Sequence, residues 1–245
     1  MKAMLKRLIE RSPFRIIRAA DRNRFSAQQE TLLTLKRRGY RPLKVLDGGA
    51  NVGDFARLVG SVFPQARIYL VEPQPACQTP LQNLVRKDSR HTLHAVAIGR
   101  EKGYLQMALN PESPSTGAHI VEYKDLSDHT ETRKIPVDTL DTILSGLTVD
   151  DRTFLKLDLQ GWELEALRGA TQVLPHIEVV LAEASFFAQA YEPPIASLIE
   201  FMAAHGFILD DIASLSGRRR DNRAHQADLV FLNEKSPLNA DSAWA

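Results

Sequence analysis

Asp158 and Glu163 lie five residues apart across a strand-to-helix turn, Phe154-Leu155-Lys156-Leu157-Asp158-Leu159-Gln160-Gly161-Trp162-Glu163. The apolar run reads as a buried strand ending at Asp158. Gly161 turns the chain, and the helix that follows carries Leu164 and Leu167 on its core side. In open α/β sheets, ligands bind beyond the carboxyl ends of the strands. A carboxylate there can take a proton from a bound hydroxyl, with Asp158 the first choice and Glu163 the second. A carboxylate of ordinary pKa is a weak base for an alcohol, so burial must raise it. Glu163 also suits the first helical turn for the dipole alone. Glu183, at the end of the apolar strand Val179–Ala182, adds a third carboxylate. The three could hold a divalent ion, although none of the seven histidines shows a metal-binding spacing.

Such a crevice needs neighbouring strands, and the stretch Lys44–Phe55 supplies one. A short apolar strand ends in Asp47-Gly48-Gly49-Ala50-Asn51-Val52-Gly53, and a helix follows. Glycine admits positive φ and close backbone approach, and the helix start offers free N–H groups and a positive dipole end. A second strand, Arg67–Val71, ends in Glu72-Pro73, where an acid suits the two hydroxyls of a ribose. Together they predict a nucleoside-cofactor site. The glycine spacing fails the G-x-G-x-x-G dinucleotide pattern. It resembles instead the first motif of S-adenosylmethionine-dependent methyltransferases. That cofactor's ammonium suits an acidic residue at a strand end, and its carboxylate suits the N–H groups of the turn.

The resemblance becomes specific with four blocks: Asp47–Gly53, Glu72-Pro73, Lys156–Glu163 and Leu167-Arg168-Gly169-Ala170. Together they resemble the FkbM-type methyltransferases over roughly residues 43–235. The resemblance implies an α/β, Rossmann-like class I methyltransferase fold. Its sheet is mostly parallel and seven-stranded, with an antiparallel last strand and helices on both faces. It implies S-adenosyl-L-methionine as cofactor, held by Asp47, Gly48, Gly49, Ala50, Asn51, Gly53, Glu72, Pro73, Ala97 and Ile98. It also implies O-methylation of a small-molecule, sugar, glycan or lipid-linked hydroxyl. Trp162 either walls the acceptor pocket or fills core space. Glu183 and Tyr191 join it as candidate acceptor contacts; an aromatic such as Tyr191 suits stacking on an apolar or sugar face and equally suits plain packing.

The remaining chain frames this reading. Residues 1–40 are expected as an N-terminal helical extension, 41–235 as the methyltransferase domain and 236–245 as a tail. Residues 1–20 are basic and amphipathic, suited to a membrane surface or, more commonly, to packing on the domain behind. Ser26 and Gln29 form a capping-box pattern for a helix from Ser26 to Arg38. His91–Ile98 reads as one strand. Residues 100–136 read as an excursion with one short strand, Tyr104–Leu109, and a long polar loop. Asp138 and Asp141 are expected to cap a helix. Arg218, Arg219 and Arg220 suit either an anionic acceptor or a solvated turn.

The net charge of +1 shows no nucleic-acid footprint. The lone Cys77 excludes an internal disulfide. No apolar run is long enough for a membrane span, and the cytoplasm is the expected compartment. Oligomeric state is not legible. Two competing readings share the turn: an NAD(P)-dependent oxidoreductase, and a non-catalytic cofactor-binding protein.

Overall fold

The computed structural model describes residues 24–109, 113–121, 131–187, 194–217, 221 and 223–240. Its first element is helix α1 (Arg24–Arg37). Seven strands then form one sheet: β1 (Lys44–Gly48), β2 (Arg67–Val71), β3 (His91–His94), β8 (Thr153–Leu157), β9 (Ile177–Ser185), β10 (Phe207–Gly217) and β11 (Ala224–Asn233). Their order is β10-β11-β9-β8-β1-β2-β3. β1 pairs in parallel with β2 and β8. Only β11 runs against its neighbours, β9 and β10. The mostly parallel sheet with an antiparallel last strand is therefore as expected.

Alternate strand residues feed opposite faces. Val45, Phe154 and Val230 pack on one side with Leu32 and Leu35 of α1, Val59 of α2 (Asp54–Val62) and Leu81 of α3 (Pro75–Lys87). Leu46, Leu155 and Phe231 pack on the other, with Leu140 of α4 (Leu140–Ile143), Leu167 of α5 (Glu163–Arg168) and Met202 of α6 (Ile195–Ala204). Near-continuous apolar runs such as Phe154–Leu157 follow from burial on both faces.

Four details depart from expectation. The helix does not start at a Ser26 cap, because Arg24 and Phe25 are already helical. The single strand 91–98 is broken. β3 leaves the main sheet at His94, the partner of Val71, and β4 (Ala97–Ile98) pairs with Val137 and Asp138 instead. The described residues between 97 and 138 thus include a second sheet, β4-β7-β5-β6, with β5 (Gly103–Ala108), β6 (His119–Val121) and β7 (Thr132–Asp138). Its small core includes Met107, Ile120, Ile135 and Val137. The cap of α4 is Thr139, whose hydroxyl accepts from Thr142 N–H, while Asp141 caps the backbone of Gln172 and Val173. Finally, within the expected tail, Pro237–Ala240 form a 3-10 turn. Leu238 is buried there, and its carbonyl accepts from Arg38. Residues 1–23, 188–193, 218–220 and 241–245, with the Tyr191 and triple-arginine expectations, lie outside the described residues.

Candidate active site

A cavity of about 360 Å³ opens beyond the carboxyl ends of β1, β2 and β8. Because β1 lies between β2 and β8, the turn after β1 is flanked by Glu72 on one side and Asp158 on the other. Both line the cavity, as do Gly49, Ala50, Asn51, Pro73, Ala97, Ile98 and Trp162.

The glycine turn is tightly wound. Gly49 has φ 73°, and a Cβ there would stand 2.0 Å from the Asp158 carbonyl oxygen. Gly53 has φ 85°, and a Cβ would meet Leu84 of α3 at 2.3 Å. These glycines admit the backbone of the neighbouring turn and the side chain of a neighbouring helix. The turn's own amides are spent internally. Gly49 and Ala50 N–H both donate to the Val71 carbonyl, Asn51 N–H to Glu72 Oε2 at 2.8 Å, and Gly53 N–H to Ala50. The expectation that these groups face a ligand carboxylate is corrected accordingly. The amides left open by helix geometry are those of the first turn of α2, where Asp54 and Phe55 line the cavity.

Of the expected cofactor residues, Asp47, Gly48 and Gly53 do not line the cavity. Asp47 is fully buried, and its Oδ1 accepts from Lys156 Nζ at 3.0 Å. The same ammonium donates to the Gly48 and Gly49 carbonyls at 3.1 and 3.0 Å. Lys156 and Asp47 therefore buttress the turn from beneath. Burial acts to discharge Lys156, but Asp47 and Asp158 outweigh it and raise its pKa.

On the β2 side, Glu72 is 2 % exposed. Its two oxygens accept from Asn51 N–H and from Gln74 N–H at 2.9 Å. Burial raises its pKa, against the pull of those N–H donors. The second sheet supplies an apolar wall here: Ala97, Ile98, Met107, Ala118 and Ile120. A clasp spans the wall's leading loop. Ser115 O accepts from Gln74 Nε2 at 3.0 Å and Asn51 Nδ2 at 3.2 Å, and Ser115 N–H donates to Gln74 Oε1 at 3.0 Å.

On the β8 side, Asp158 Oδ2 lies 2.9 Å from Arg24 Nη1 and 3.9 Å from Lys156 Nζ. Gln160, at φ 54°, donates from Nε2 to Asp158 Oδ1 at 2.9 Å and to Glu183 Oε2 at 3.0 Å. Glu183 sits behind Asp158, outside the main cavity. On the sequence alone, burial is expected to raise the pKa of Asp158, and here its direction is the opposite. Burial would raise Asp158, but Lys156 and Arg24 overrule it and hold the carboxyl below its usual range. Burial and the neighbouring Asp158 push Glu183 up to about 9. Asp158 and Glu183 share the Gln160 amide, and two carboxyl groups held on one donor push each other's pKa values apart.

Glu163, the second choice of base from the sequence, has a local partner. Its Oε1 accepts from Leu159 N–H at 2.6 Å, which ties the turn to the start of α5, and it does not line the main cavity. Cys77 is buried, and burial pushes its thiol up to about 12. Among the described residues, no group of three His, Cys, Asp or Glu side chains is arranged to hold a metal. A guanidinium stands among the carboxylates Asp158, Glu183 and Asp228. Arg24, Phe25 and Gln28, all of α1, line the cavity yet carry no motif in the sequence.

The Methyltransferase FkbM domain profile matches residues 47–209, and the chain belongs to that family. Methyltransferase sdnD of Sordaria araneosa is 26% identical over 186 residues, covering 64% of this chain and 71% of that protein. The crystal structure of methyltransferase FkbM from Methylobacillus flagellatus KT is 19% identical, with a TM-score of 0.48. The match covers 76% of this chain and 43% of the longer protein. Mitomycin 7-O-methyltransferase MmcR is 9% identical, with a TM-score of 0.41, over 85% of this chain and 53% of that one. Likenesses scoring below 0.5 add nothing to the family assignment.

Proposed function

We propose that this chain is an S-adenosylmethionine-dependent methyltransferase that methylates a hydroxyl oxygen. The observation carrying the proposal is the placement of two different carboxylates on opposite sides of one glycine turn. Glu72 is buried and bonded to backbone amides; Asp158 is held ionised at the other end of the same cavity.

The residues present fit the cofactor. A cavity of about 360 Å³ lies within the size range of small-ligand sites. Glu72 retains lone pairs for ribose hydroxyls beyond the two it gives to Asn51 and Gln74. The apolar wall from Ile98, Met107 and Ile120 suits a flat heteroaromatic base. Bound there, the cofactor supplies an electrophilic methyl on a positive sulfur. The chain's own part is alignment and charge. Asp158 accepts the hydrogen bond of the acceptor hydroxyl and orients its oxygen. With the methyl donor bound, Asp158 would hold the acceptor oxygen toward that methyl and would take up the hydroxyl proton that methylation releases. Its low pKa makes Asp158 a weak base, so alignment rather than proton abstraction carries the larger share of the rate. Phe25, Gln28 and Trp162 bound the space an acceptor would enter.

The test is transfer of labelled methyl to a panel of hydroxylated small molecules, glycans and lipids, with Asp158→Asn beside it. Transfer to at least one hydroxyl, lost in Asp158→Asn, supports the proposal. Cofactor binding without transfer to any acceptor favours a non-catalytic binding protein. Heat from a nicotinamide cofactor in place of S-adenosylmethionine would revive the oxidoreductase reading. The domain bounds 41–235 are proposed on the same basis, with α1 as the piece that closes the acceptor end.

A further inference from the structure

Arg24 lies ahead of the family match at 47–209, and Asp228 lies behind it. Arg24 lines the cavity and reaches the buried Asp228 behind it. Arg24 holds Asp228 with two donors, Nε to Oδ2 at 2.9 Å and Nη2 to Oδ1 at 2.6 Å. Gln28 Nε2 and Ser214 Oγ add bonds to Oδ2 at 3.0 and 2.6 Å. Asp228 is 2 % exposed and pairs in register with Glu183 on β9. A guanidinium is a rigid planar fork. Pinned at Nε and Nη2, it has one nitrogen with a fixed direction left, and that nitrogen, Nη1, meets Asp158 Oδ2 at 2.9 Å.

Gln160 holds the other oxygen of Asp158, so each carboxylate oxygen has one donor, and both donors also lie against Glu183. Gln160 carries a left-handed backbone at φ 54° to do so. Strain of that kind persists where the surroundings over-determine it. Asp158 is thus fixed in two directions, by a residue of its own turn and by a residue of α1.

We propose that Arg24 is a positioning residue for the acceptor hydroxyl: anchored on Asp228, it sets the direction in which Asp158 offers its remaining lone pairs to the cavity. An element outside the matched family segment thereby completes the acceptor half of the site. The hydroxyl in this statement rests on the proposed methyl transfer; the orientation of Asp158 does not.

The experiment is a carboxyl-labelled NMR titration of the full chain, wild type against Arg24→Gln and Arg24→Lys. It runs beside calorimetry with S-adenosylmethionine, thermal unfolding and turnover on the acceptor found by the panel. In Arg24→Gln, Asp158 should titrate about 1–3 pH units higher, as expected when an adjacent cation is removed. Cofactor affinity should stay within about twofold, because the two ends are separate. The kcat for the acceptor should fall about 10–100-fold through misalignment. Arg24→Lys keeps the charge without the fork, so the titration should return most of the way while kcat does not. An unchanged Asp158 titration in folded Arg24→Gln overturns the proposal. Should that variant fail to fold, a folded Arg24→Lys with wild-type kcat overturns it equally. Wild-type protein that ignores S-adenosylmethionine would sink the methyl-transfer reading while leaving the titration result standing.

Discussion

The two ends of the cavity are built by different means. Around Glu72, the contacts are short-range and largely backbone: Asn51, Gln74 and the glycine turn lie within a few tens of residues of one another. Around Asp158, the contacts are side chains brought from far along the chain, with Arg24, Glu183 and Asp228 converging through α1, β9 and β11. A site fixed by backbone geometry tolerates little variation in its ligand. A site fixed by side-chain ion pairs can be retuned one residue at a time. The difference suits one end to an invariant cofactor and the other to a variable acceptor.

The comparison breaks most visibly if the ends are not independent. Asp158→Asn should lower methyl transfer by about 10²-fold, chiefly through lost alignment of the acceptor hydroxyl. Its calorimetric affinity for S-adenosylmethionine should barely change. Glu72→Ala should do the reverse, weakening cofactor binding by about 10²-fold or more. Two charge-assisted acceptor sites vanish there, each worth about 1.5–3 kcal/mol. If either variant damaged both quantities equally, the division into two ends would be wrong.

Gln74→Ala sharpens the cofactor end. Losing the amide that clasps Ser115 removes two hydrogen bonds of about 1 kcal/mol each. Release of cofactor in stopped flow should therefore quicken by roughly tenfold. The smallest effect is a pH signature at the other end. Glu183 holds its proton up to about 9, because burial and Asp158 oppose its ionisation. A group whose folded pKa is raised contributes stability that is whole below its unfolded pKa and is lost as pH rises through the folded value. Thermal stability should consequently decline from about pH 4.5 toward pH 9, and Glu183→Gln should flatten that slope. An undiminished slope in Glu183→Gln would assign the alkaline loss to other groups.

The same division explains what the sequence made legible. The glycine turn, Glu72-Pro73 and the strand ending at Asp158 are local patterns, so their element types and order are readable from spacing. The family blocks extend that reading to a seven-stranded sheet. Asp47 and Gly48 occupy motif positions, and the sequence does not reveal that their polar groups turn inward, toward Lys156 and the sheet. Glu163 is ambiguous for a related reason: an acid at the start of a helix reads the same whether it faces a cavity or caps a turn. Arg24 had no signal at all. One arginine in a basic stretch gains its role only when Asp158, Glu183 and Asp228 converge, and convergence over such separations is not a periodic property. Of the second sheet only β5 was legible, as the strand Tyr104–Leu109; β4 and β6 are two and three residues long, too short for alternation to register, and β7 opens with the polar run Thr132-Arg133-Lys134.

Calorimetric titration of S-adenosylmethionine into wild-type protein, Glu72→Ala and Asp158→Asn tests the central division most directly. The account predicts one site per chain in wild type, near-wild-type affinity in Asp158→Asn and strong loss in Glu72→Ala. Equal loss in both variants, or no heat from wild type at millimolar cofactor, would contradict it.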